Sequence, residues 1–548
     1  MSVDVSLYVP ILLHVTVLAA FRYILIPLWV YWRRPYSPAI ARFRGPPIKH
    51  WFFGFLTPSE IECFEMSTKL LELCDDYDGD PEAISYVLNN SQTYVRAEVQ
   101  MRVARMLFGD GLVAVDGEQH RRQRKVIGPA LTSAAVEGMA AIFYEKSHIL
   151  ADRWTQKLPS TANQETKCME INAYREFEAL SLDIIGTAGF QHDFHSLSGQ
   201  RSELEDALVN VAKSAATGSI YSSLRSHFNW FGTLGSLFSQ EQKTLDKYKR
   251  HVRRISKDLV ENAKRRIQMQ DGDETARARD ILSLIVKSNI STTGGARLDD
   301  DEVVSMVPTF LLGGYDNNAS EMSYALFALT NFPETQRRLR KELICPPPDN
   351  RDWQENFRSL ERLPYLDAIA KETFRMYSSA HSIPRTVSRD DCIPLSRSRQ
   401  LRDGSWVDKI HLSRGDDVVI AQKWVNVSSR FWGPTAHLFR PERWIEDPEH
   451  EYYDGGLPRT VTGDGEKARK ELPGWSHLMT FSIGPRSCPG YKMAVAEFKV
   501  SLAILVLRFM FIRHKAMDEV YGEVQVVDRP RVKGKEGYCM PCWVKALD

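Results

Sequence analysis

The chain has 548 residues, of which 43% are hydrophobic and 26% are charged, so most of it is expected to form a globular body and not a disordered chain. Its 71 basic and 70 acidic side chains nearly cancel, and a net charge of +1 gives no indication of a nucleic-acid partner. The length exceeds one typical core, which allows one large unit with two subdomains or two to three domains.

The amino terminus carries an almost continuous apolar run over residues 7–32, interrupted by His14 and Arg22. As a helix rising about 1.5 Å per residue, this run would cross a hydrocarbon core of about 30 Å. Arg33 and Arg34 follow at once, and by the positive-inside rule they place the rest of the chain in the cytoplasm. The length of the run and the lack of a cleavage site argue against a signal peptide, and the basic flank argues against a buried core helix.

Residues 1–34 are therefore predicted to form a single-pass membrane anchor, with the endoplasmic reticulum as the expected compartment in a eukaryote. Prolines 35, 38, 46 and 47 stiffen the next segment, so residues 35–50 are predicted to be a hinge. Residues 51–548 then form the main domain.

From about residue 60 to 380 the pattern is mostly helical, as in Leu245–Gln268, where apolar residues recur at helical spacing. The acidic residues 299–302 predict the start of a long apolar helix that runs to about Asn331. Pro308 is expected to kink this helix, and Pro333 is expected to open the next one.

After residue 380 the sequence changes to short strand-like pieces, Trp406–Ser413 and Asp417–Ala421, with turn residues between them. Residues 446–474 are polar and predict an exposed loop, and a last helix is predicted from about Lys492 to Phe511. The fold class is thus mainly α with a smaller β region.

Eight cysteines are too few for a disulfide scaffold in a chain of this length. Cys539 and Cys542 form a lone CxxC, but a zinc site needs four ligands and no second pair stands at a suitable spacing. Two ordinary strand or loop cysteines are the preferred interpretation.

Cys488 has a different setting, because it lies in a loop rich in glycine and proline directly before an apolar helix. A helix N-terminus stabilises a thiolate through its dipole and its unpaired amides. Gly484 and Gly490 allow the backbone to approach the sulfur, and Arg486 offers a charge to a nearby anion. Such a thiolate suits iron ligation, whereas a lone cysteine in a turn would be read as structural.

The whole stretch resembles the haem-binding signature FxxGxRxCxG of the cytochrome P-450 superfamily, with Phe481, Gly484, Arg486, Cys488 and Gly490 at its fixed positions. The resemblance implies a helical haem-binding prism with a smaller β region. It also implies that Cys488 is the axial ligand of the iron in haem b.

Two further segments resemble the family's ionic network. Glu372 and Arg375 match its ExxR pair, which shares one helix face, and Arg443 matches the arginine of its PERF-like segment. The resemblance implies that the three side chains form a buried network that braces the core beside the haem. In isolation, each of these signals is weak.

Other matches concern the haem propionates. His120 and Arg124 resemble the W/H-x-x-x-R of the family's C helix, and Arg385 resembles a further propionate arginine. The resemblance implies that all three bind propionates, since arginine binds carboxylates in a bidentate geometry. Without it, the run at 120–125 would be read as a basic surface.

The central helix departs from the family pattern. It keeps Gly313, Gly314 and Asp316, but Asn317 stands where the family usually has a threonine that helps to deliver protons to dioxygen. Asparagine can still hold a water, so Asp316 and Asn317 are predicted to be the catalytic pair. The two glycines are expected either to pack against a neighbouring helix or to leave room for oxygen.

The resemblance implies a membrane-bound monooxygenase that oxidises a lipophilic small molecule with O2. Electrons would come from NADPH through a separate cytochrome P-450 reductase, because the sequence shows no flavin or nicotinamide motif. Expected substrate contacts are about 95–112, 310–314 and 380–383. The pattern looks fungal, which suggests secondary metabolism and terpenoids as substrates. The alternatives are a haem-thiolate isomerase, dehydratase or peroxide user, and a non-catalytic haem-binding membrane protein.

Overall fold

The computed structural model describes the greater part of the chain, and the predicted anchor and hinge lie outside the described residues. Among the residues that the structure describes, no helix is both long enough and apolar enough to span a membrane. The described ranges are 79–158, 168–199, 240–269, 280–292, 297–344, 353–401, 403–454, 474–524 and 527–547.

Helices dominate the described part of the chain, which confirms the predicted class of a mainly helical protein with some sheet. Helices α1 to α8 are Pro81–Asn89, Glu98–Phe108, Gly117–Ile127, Ser133–Gly138, Ala140–Lys157, Ala173–Phe190, Gln240–Met269 and Ile281–Ser291. Helices α9 to α15 are Asp300–Asn331, Pro333–Ile344, Trp353–Glu361, Pro364–Met376, Gln422–Val427, Ser429–Trp432 and Tyr491–Arg508. Short 3-10 turns include Pro441–Trp444 and Gly484–Arg486.

The strands are short and pair antiparallel. Strands β1 to β10 are Tyr94–Val95, Cys168–Asn172, Ile383–Val387, Asp391–Gln400, Trp406–Leu412, Asp417–Ile420, Phe509–Arg513, Val520–Val524, Asp528–Val532 and Pro541–Ala546. Within the described residues, two sheets have three strands, in the orders β1-β3-β6 and β2-β10-β7, and the pairs β4-β5 and β8-β9 form two more. The predicted strand pieces correspond to β5 and β6.

The long predicted helix is α9, and its start is fixed by a capping box. The Glu302 amide donates to Asp299 Oδ1 at 2.7 Å, and the Asp299 amide donates to Glu302 Oε2 at 3.1 Å. The helix continues through Pro308 to Asn331, with most of its residues buried. It packs along α6, where a Cβ on Gly314 would lie 2.8 Å from Ile185. Helix α9 therefore crosses the core and carries one face past the site described below.

The last helix, α15, ends at Arg508, three residues before the predicted end at Phe511. Phe509 and Phe511 are buried alternately in strand β7, which pairs with β10. The alternation of buried positions is a strand pattern, and the pairing with a distant strand favours strand over helix in this segment. The predicted loop 446–474 has no helix or strand over its described part, residues 446–454 and 474.

The CxxC residues lie in and beside β10. Cys542 is fully buried in the strand, and Cys539 precedes it in a loop, where its amide donates to the Pro530 carbonyl at 2.8 Å. Within the described ranges, no group of three or more His, Cys, Asp or Glu side chains is placed to hold a metal ion.

Candidate active site

A cavity of about 490 Å³ lies between helix α9, the loop before α15 and the segment after α12. Cys488 lines it on one side, and Phe310 and Gly313 of α9 line it on the other. Leu112 and the residues from Ala380 to Ile383 except His381 also line it, so parts of all three predicted substrate regions meet here. The cavity brings a thiol and a largely apolar wall together in one space.

The loop that presents Cys488 depends on glycine at position 484. Gly484 has φ +74°, and a Cβ there would lie 2.6 Å from the Leu88 carbonyl oxygen, so only glycine fits without strain. The Cys488 amide donates to the Phe481 carbonyl at 2.8 Å, which closes the loop. A side chain at Gly490 would meet nothing within 4 Å, so this residue leaves open space beside the cavity.

Phe481 anchors the same loop in the core. Its ring lies 5.2 Å from Phe374 of α12, 5.4 Å from Trp475 and 5.8 Å from Tyr491. Aromatic pairs at such separations are worth roughly 0.5–1.5 kcal/mol beyond their buried area. Phe481 thus holds the loop in the core, and it also lines the cavity.

Opposing effects act on the Cys488 thiol. Burial raises its pKa, whereas the backbone amides of Gly490 and Tyr491 and the guanidinium of Arg124 lower it. The amides belong to the N-terminus of α15, as the sequence predicted. These groups favour the thiolate once a metal cation offsets the burial, because a coordinating thiol loses its proton.

Five cationic or potentially cationic side chains cluster at one end of the cavity: Arg96, His120, Arg124, Arg385 and Arg486. Arg96, Arg385 and Arg486 line the cavity, while His120 and Arg124 of α3 stand behind them and are not part of the lining. The guanidinium of Arg124 donates to the Ser487 carbonyl at 2.8 Å, next to the cysteine.

Burial and mutual repulsion both act against the charged forms of three of these side chains, Arg486, Arg385 and His120. Burial and the positive charge of Arg96 together lower the pKa of Arg486 to about 9 and that of Arg385 to about 10. Burial, Arg124 and Arg96 lower the pKa of His120 to about 4. Asp116 pairs with Arg486, yet Arg486 Nη1 is buried without an acceptor among the described residues.

A ligand with carboxylates at one end and a metal near Cys488 fits this arrangement. The cationic cluster, the thiol and the open space at Gly490 match the two propionates, the iron and the flat body of a haem. The residues present thus fit the cofactor that the sequence predicted.

The ionic network beside the site is completely buried, with Glu372, Arg375 and Arg443 all 0% exposed. Arg375 donates to both Glu372 oxygens, at 2.9 and 2.8 Å, and Arg443 Nε donates to Oε1 at 2.9 Å. The Arg440 amide and the Trp444 indole complete five hydrogen bonds to one carboxylate. Burial raises the pKa of Glu372, but Arg375 and Arg443 bring it below its usual range.

On the opposite wall, one glycine of α9 packs against a neighbouring helix and the other leaves open space, which are the two roles expected from the sequence. Gly314 packs against Ile185 of α6, as in simple helix packing, whereas a side chain on Gly313 would meet nothing within 4 Å. Gly313 and Asn317 both line the cavity. The side-chain amide nitrogen of Asn317, Nδ2, donates to the Gly313 carbonyl at 3.2 Å, and its Oδ1 accepts from Ser379 Oγ at 2.9 Å.

Asp316 occupies a different place from its predicted partner. It is buried and does not line the cavity. Arg529 Nε of β9 donates to both of its oxygens, at 2.9 and 3.1 Å, and the Tyr174 hydroxyl donates at 2.8 Å. Asp316 therefore ties α9 to α6 and β9. Its part in proton delivery stays a prediction, as does that of Asn317.

Comparison with known proteins agrees with this geometry. The sequence profile described as "Cytochrome P450" matches residues 76–530. The chain belongs to the cytochrome P450 family. Cytochrome P450 monooxygenase 128 of Postia placenta is 31% identical over 93% of both chains, and monooxygenase 205 of the same fungus is 30% identical over 91% of this chain and 92% of its own. Cytochrome P450 monooxygenase claW of Ampulloclitocybe clavipes is 28% identical over 88% of this chain and 85% of its own.

These findings confirm the predicted family and enzyme class: the protein is a haem-dependent monooxygenase, an oxidoreductase with fungal relatives. Members of the P450 family generally work with a redox partner on lipophilic substrates. Several site residues escaped the sequence argument, namely Arg96, Glu321, Ser379, Glu497 and Arg529. Each is a single polar residue that no motif or local spacing marks.

Proposed function

We propose that this P450 inserts one atom of O2 into a lipophilic small molecule, with electrons supplied from NADPH by a separate reductase. The observation that carries the proposal is the shared cavity, where the Cys488 thiol faces a wall of apolar and small groups that includes Phe310, Ala380 and Ile383. Apolar walls bind apolar substrates by removing their surface from water.

The haem would supply the oxygen chemistry, and the chain supplies its binding and surroundings. Cys488 would bind the iron, and the amides at the start of α15 would stabilise the negative charge on its sulfur. Arg96, Arg385 and Arg486 would bind the propionates. Gly313 leaves space on the opposite wall, and Asn317 offers its remaining amide hydrogen there to hold a water. The apolar walls orient the substrate and exclude bulk water.

We further propose a substrate from fungal secondary metabolism, with terpenoids as the first class to try. The fungal origin of the relatives and the apolar lining of the cavity support this choice. Type I binding spectra with a panel of terpenoids would test it. No terpenoid that shifts the haem band, alongside hits from another lipophilic class, would contradict it.

Residues 1–34 are proposed to anchor the protein in the endoplasmic reticulum membrane, with the catalytic domain in the cytosol. The support is the apolar run followed by arginines, and a substrate of low water solubility would be reached from the membrane. Epitope tags at the two ends of the chain, probed by protease protection in microsomes, would test the topology. A protected carboxyl-terminal tag would contradict it.

The reaction type is tested with the full-length haem-loaded protein, a P450 reductase, NADPH and ¹⁸O2, beside a Cys488→Ser variant. We expect NADPH-dependent product that carries one ¹⁸O atom and is absent with the variant. Product formed from peroxide alone would favour a peroxide user. Product without ¹⁸O and without NADPH consumption would favour an isomerase or dehydratase, which the asparagine at position 317 keeps under consideration.

A further inference from the structure

Glu321 is a buried carboxyl group that the family motifs do not mention. It lies one helical turn after Asn317 on α9, is 2% exposed and lines the cavity. Asp316, the acid that the sequence predicted for proton delivery, is instead held by Arg529 and does not line the cavity. Glu321 therefore stands where an acid can reach the reaction space.

A short chain of hydrogen bonds links Glu321 to Asn317. Ser379, in the segment after α12, points its hydroxyl at both residues, with Oγ 2.9 Å from Asn317 Oδ1 and 3.1 Å from Glu321 Oε1. The Ser379 amide lies 3.4 Å from the same carboxyl oxygen. All three side chains line the cavity.

The direction of these bonds depends on the proton of Glu321. A hydroxyl has one hydrogen, so Ser379 cannot donate fully to two acceptors at once. If Glu321 is protonated, its O–H donates to Ser379 Oγ, and Ser379 donates to Asn317 Oδ1, so that each bond has a donor and an acceptor. If Glu321 is ionised, Ser379 donates to the carboxylate and Asn317 Oδ1 loses its donor.

The surroundings favour the protonated form. Burial raises the pKa of Glu321 to about 8, although the two hydrogen bonds from Ser379 act in the opposite sense. Glu321 and the Cys488 thiol, in the loop before α15, repel each other when both are ionised. The Ser379 carbonyl accepts from the Asp528 backbone amide. The side chain of Asp528 is itself paired with Lys423 and His381. No cation pairs with Glu321 among the ion pairs of the described residues.

We propose that Glu321 is the distal acid of this P450 and passes protons into the cavity through Ser379, beside Asn317. The inference rests on the proposed function, because O2 reduction consumes protons. In the step, the Glu321 O–H bond breaks as a new Ser379 Oγ–H bond forms. The Ser379 hydroxyl first turns from Asn317 Oδ1 to a cavity water beside Asn317, and its original hydrogen moves to that water, which becomes hydronium. A hydronium ion from bulk solvent returns a proton to the Glu321 carboxylate and becomes water, and no electrons move.

The first test reads the proton directly. Infrared spectra of the full-length haem-loaded protein are recorded from about pH 6 to about pH 10 and searched for the carbonyl band of a protonated carboxylic acid. Burial raises the pKa of both Glu321 and Glu497, two carboxyls that line the cavity, to about 8, so we expect two such bands that titrate near pH 8. One of them should be lost in Glu321→Gln and persist in Glu497→Gln. No Glu321-dependent band at neutral pH would overturn the proposal.

The second test measures O2 uptake with reductase and NADPH. Glu321→Gln and Ser379→Ala should each slow uptake at least about tenfold, because general acids contribute roughly 10²–10⁴ in rate. The matched control is Ser378→Ala, since the Ser378 hydroxyl donates to the Ala380 carbonyl and lies outside the chain of bonds. Its uptake should stay within about twofold of the wild type.

The two tests separate the possible failures. Uptake that is unchanged in Glu321→Gln would overturn the role of Glu321 and leave the proposed function intact. No NADPH-dependent uptake by the wild type, with the infrared band still present, would overturn the proposed function and with it this role. A carbon monoxide spectrum that matches the wild type shows that each variant has folded around its haem.

Discussion

The substitution Glu372→Gln tests the ionic network with the smallest change of shape. Glu372 accepts three hydrogen bonds at Oε1, from Arg375, Arg443 and the Arg440 amide, and two at Oε2, from Arg375 and the Trp444 indole. Glutamine has one carbonyl oxygen, so its NH2 group must face one of these two sets of donors. At least two donors therefore lose their acceptor in either orientation.

The expected decrease in the free energy of unfolding follows from these lost hydrogen bonds. A buried donor without an acceptor costs about 1–3 kcal/mol, so two cost about 2–6 kcal/mol. Breaking a buried ion pair by removing one partner costs about 3–5 kcal/mol, which agrees. We expect Glu372→Gln to lower the free energy of unfolding by about 4 kcal/mol.

The assay is urea unfolding of the haem-loaded protein followed by tryptophan fluorescence. The control is Glu118→Gln, which removes a carboxylate paired with Arg121 at the surface, where both side chains are more than half exposed. That variant should lose less than about 1 kcal/mol. If Glu372→Gln were as stable as Glu118→Gln, the hydrogen bonds to Glu372 would not stabilise the fold as expected.

Two further predictions concern packing and pH. Gly314→Ala should lower the free energy of unfolding by about 1–3 kcal/mol, since the added Cβ would lie 2.8 Å from the Ile185 side chain of α6. Gly313→Ala, where nothing lies within 4 Å, should be neutral or slightly stabilising, and equal thermal midpoints for the two would contradict the packing. Burial raises the pKa of Asp528, but Lys423 and His381 bring it down to about 2. This lowered pKa stabilises the fold by about 2 kcal/mol above the unfolded pKa of about 3.9, and the contribution is lost as pH falls toward 2. Asp528→Asn should therefore flatten acid unfolding curves between about pH 4 and pH 2, and an unchanged slope would contradict this.

Local patterns predicted the parts of the site that lie within one segment. The loop at Cys488 is recognisable because its glycines and the following apolar helix stand side by side in the sequence. Glu372 and Arg375 share one helix face, so spacing allowed a salt bridge between two of the three network residues, and the family resemblance identified that pair. Arg443 needed the family resemblance, because nothing in its own segment shows that it is buried.

Contacts between distant segments escaped prediction. Asp316 is held by Arg529, more than two hundred residues away, and nothing near either residue indicates the pair. The Ser379 hydroxyl reaches Glu321 in the same way, across two separate elements. The end of α15 was predicted three residues too late, because the pairing of β7 with β10 overrides the helical pattern at Phe509. Local sequence fixes periodicity, whereas such contacts depend on the packing of the whole fold.

The ferrous–carbon monoxide difference spectrum of the membrane-expressed protein reports directly whether the Cys488 thiolate binds the haem iron. It is compared with Cys488→Ser and with Cys392→Ser, a matched change at a thiol on β4 outside the cavity. We expect a strongly red-shifted Soret band in the wild type and in Cys392→Ser, and its loss in Cys488→Ser. The same red-shifted band in Cys488→Ser, or no haem spectrum from well-folded wild-type protein, would contradict haem–thiolate ligation by Cys488.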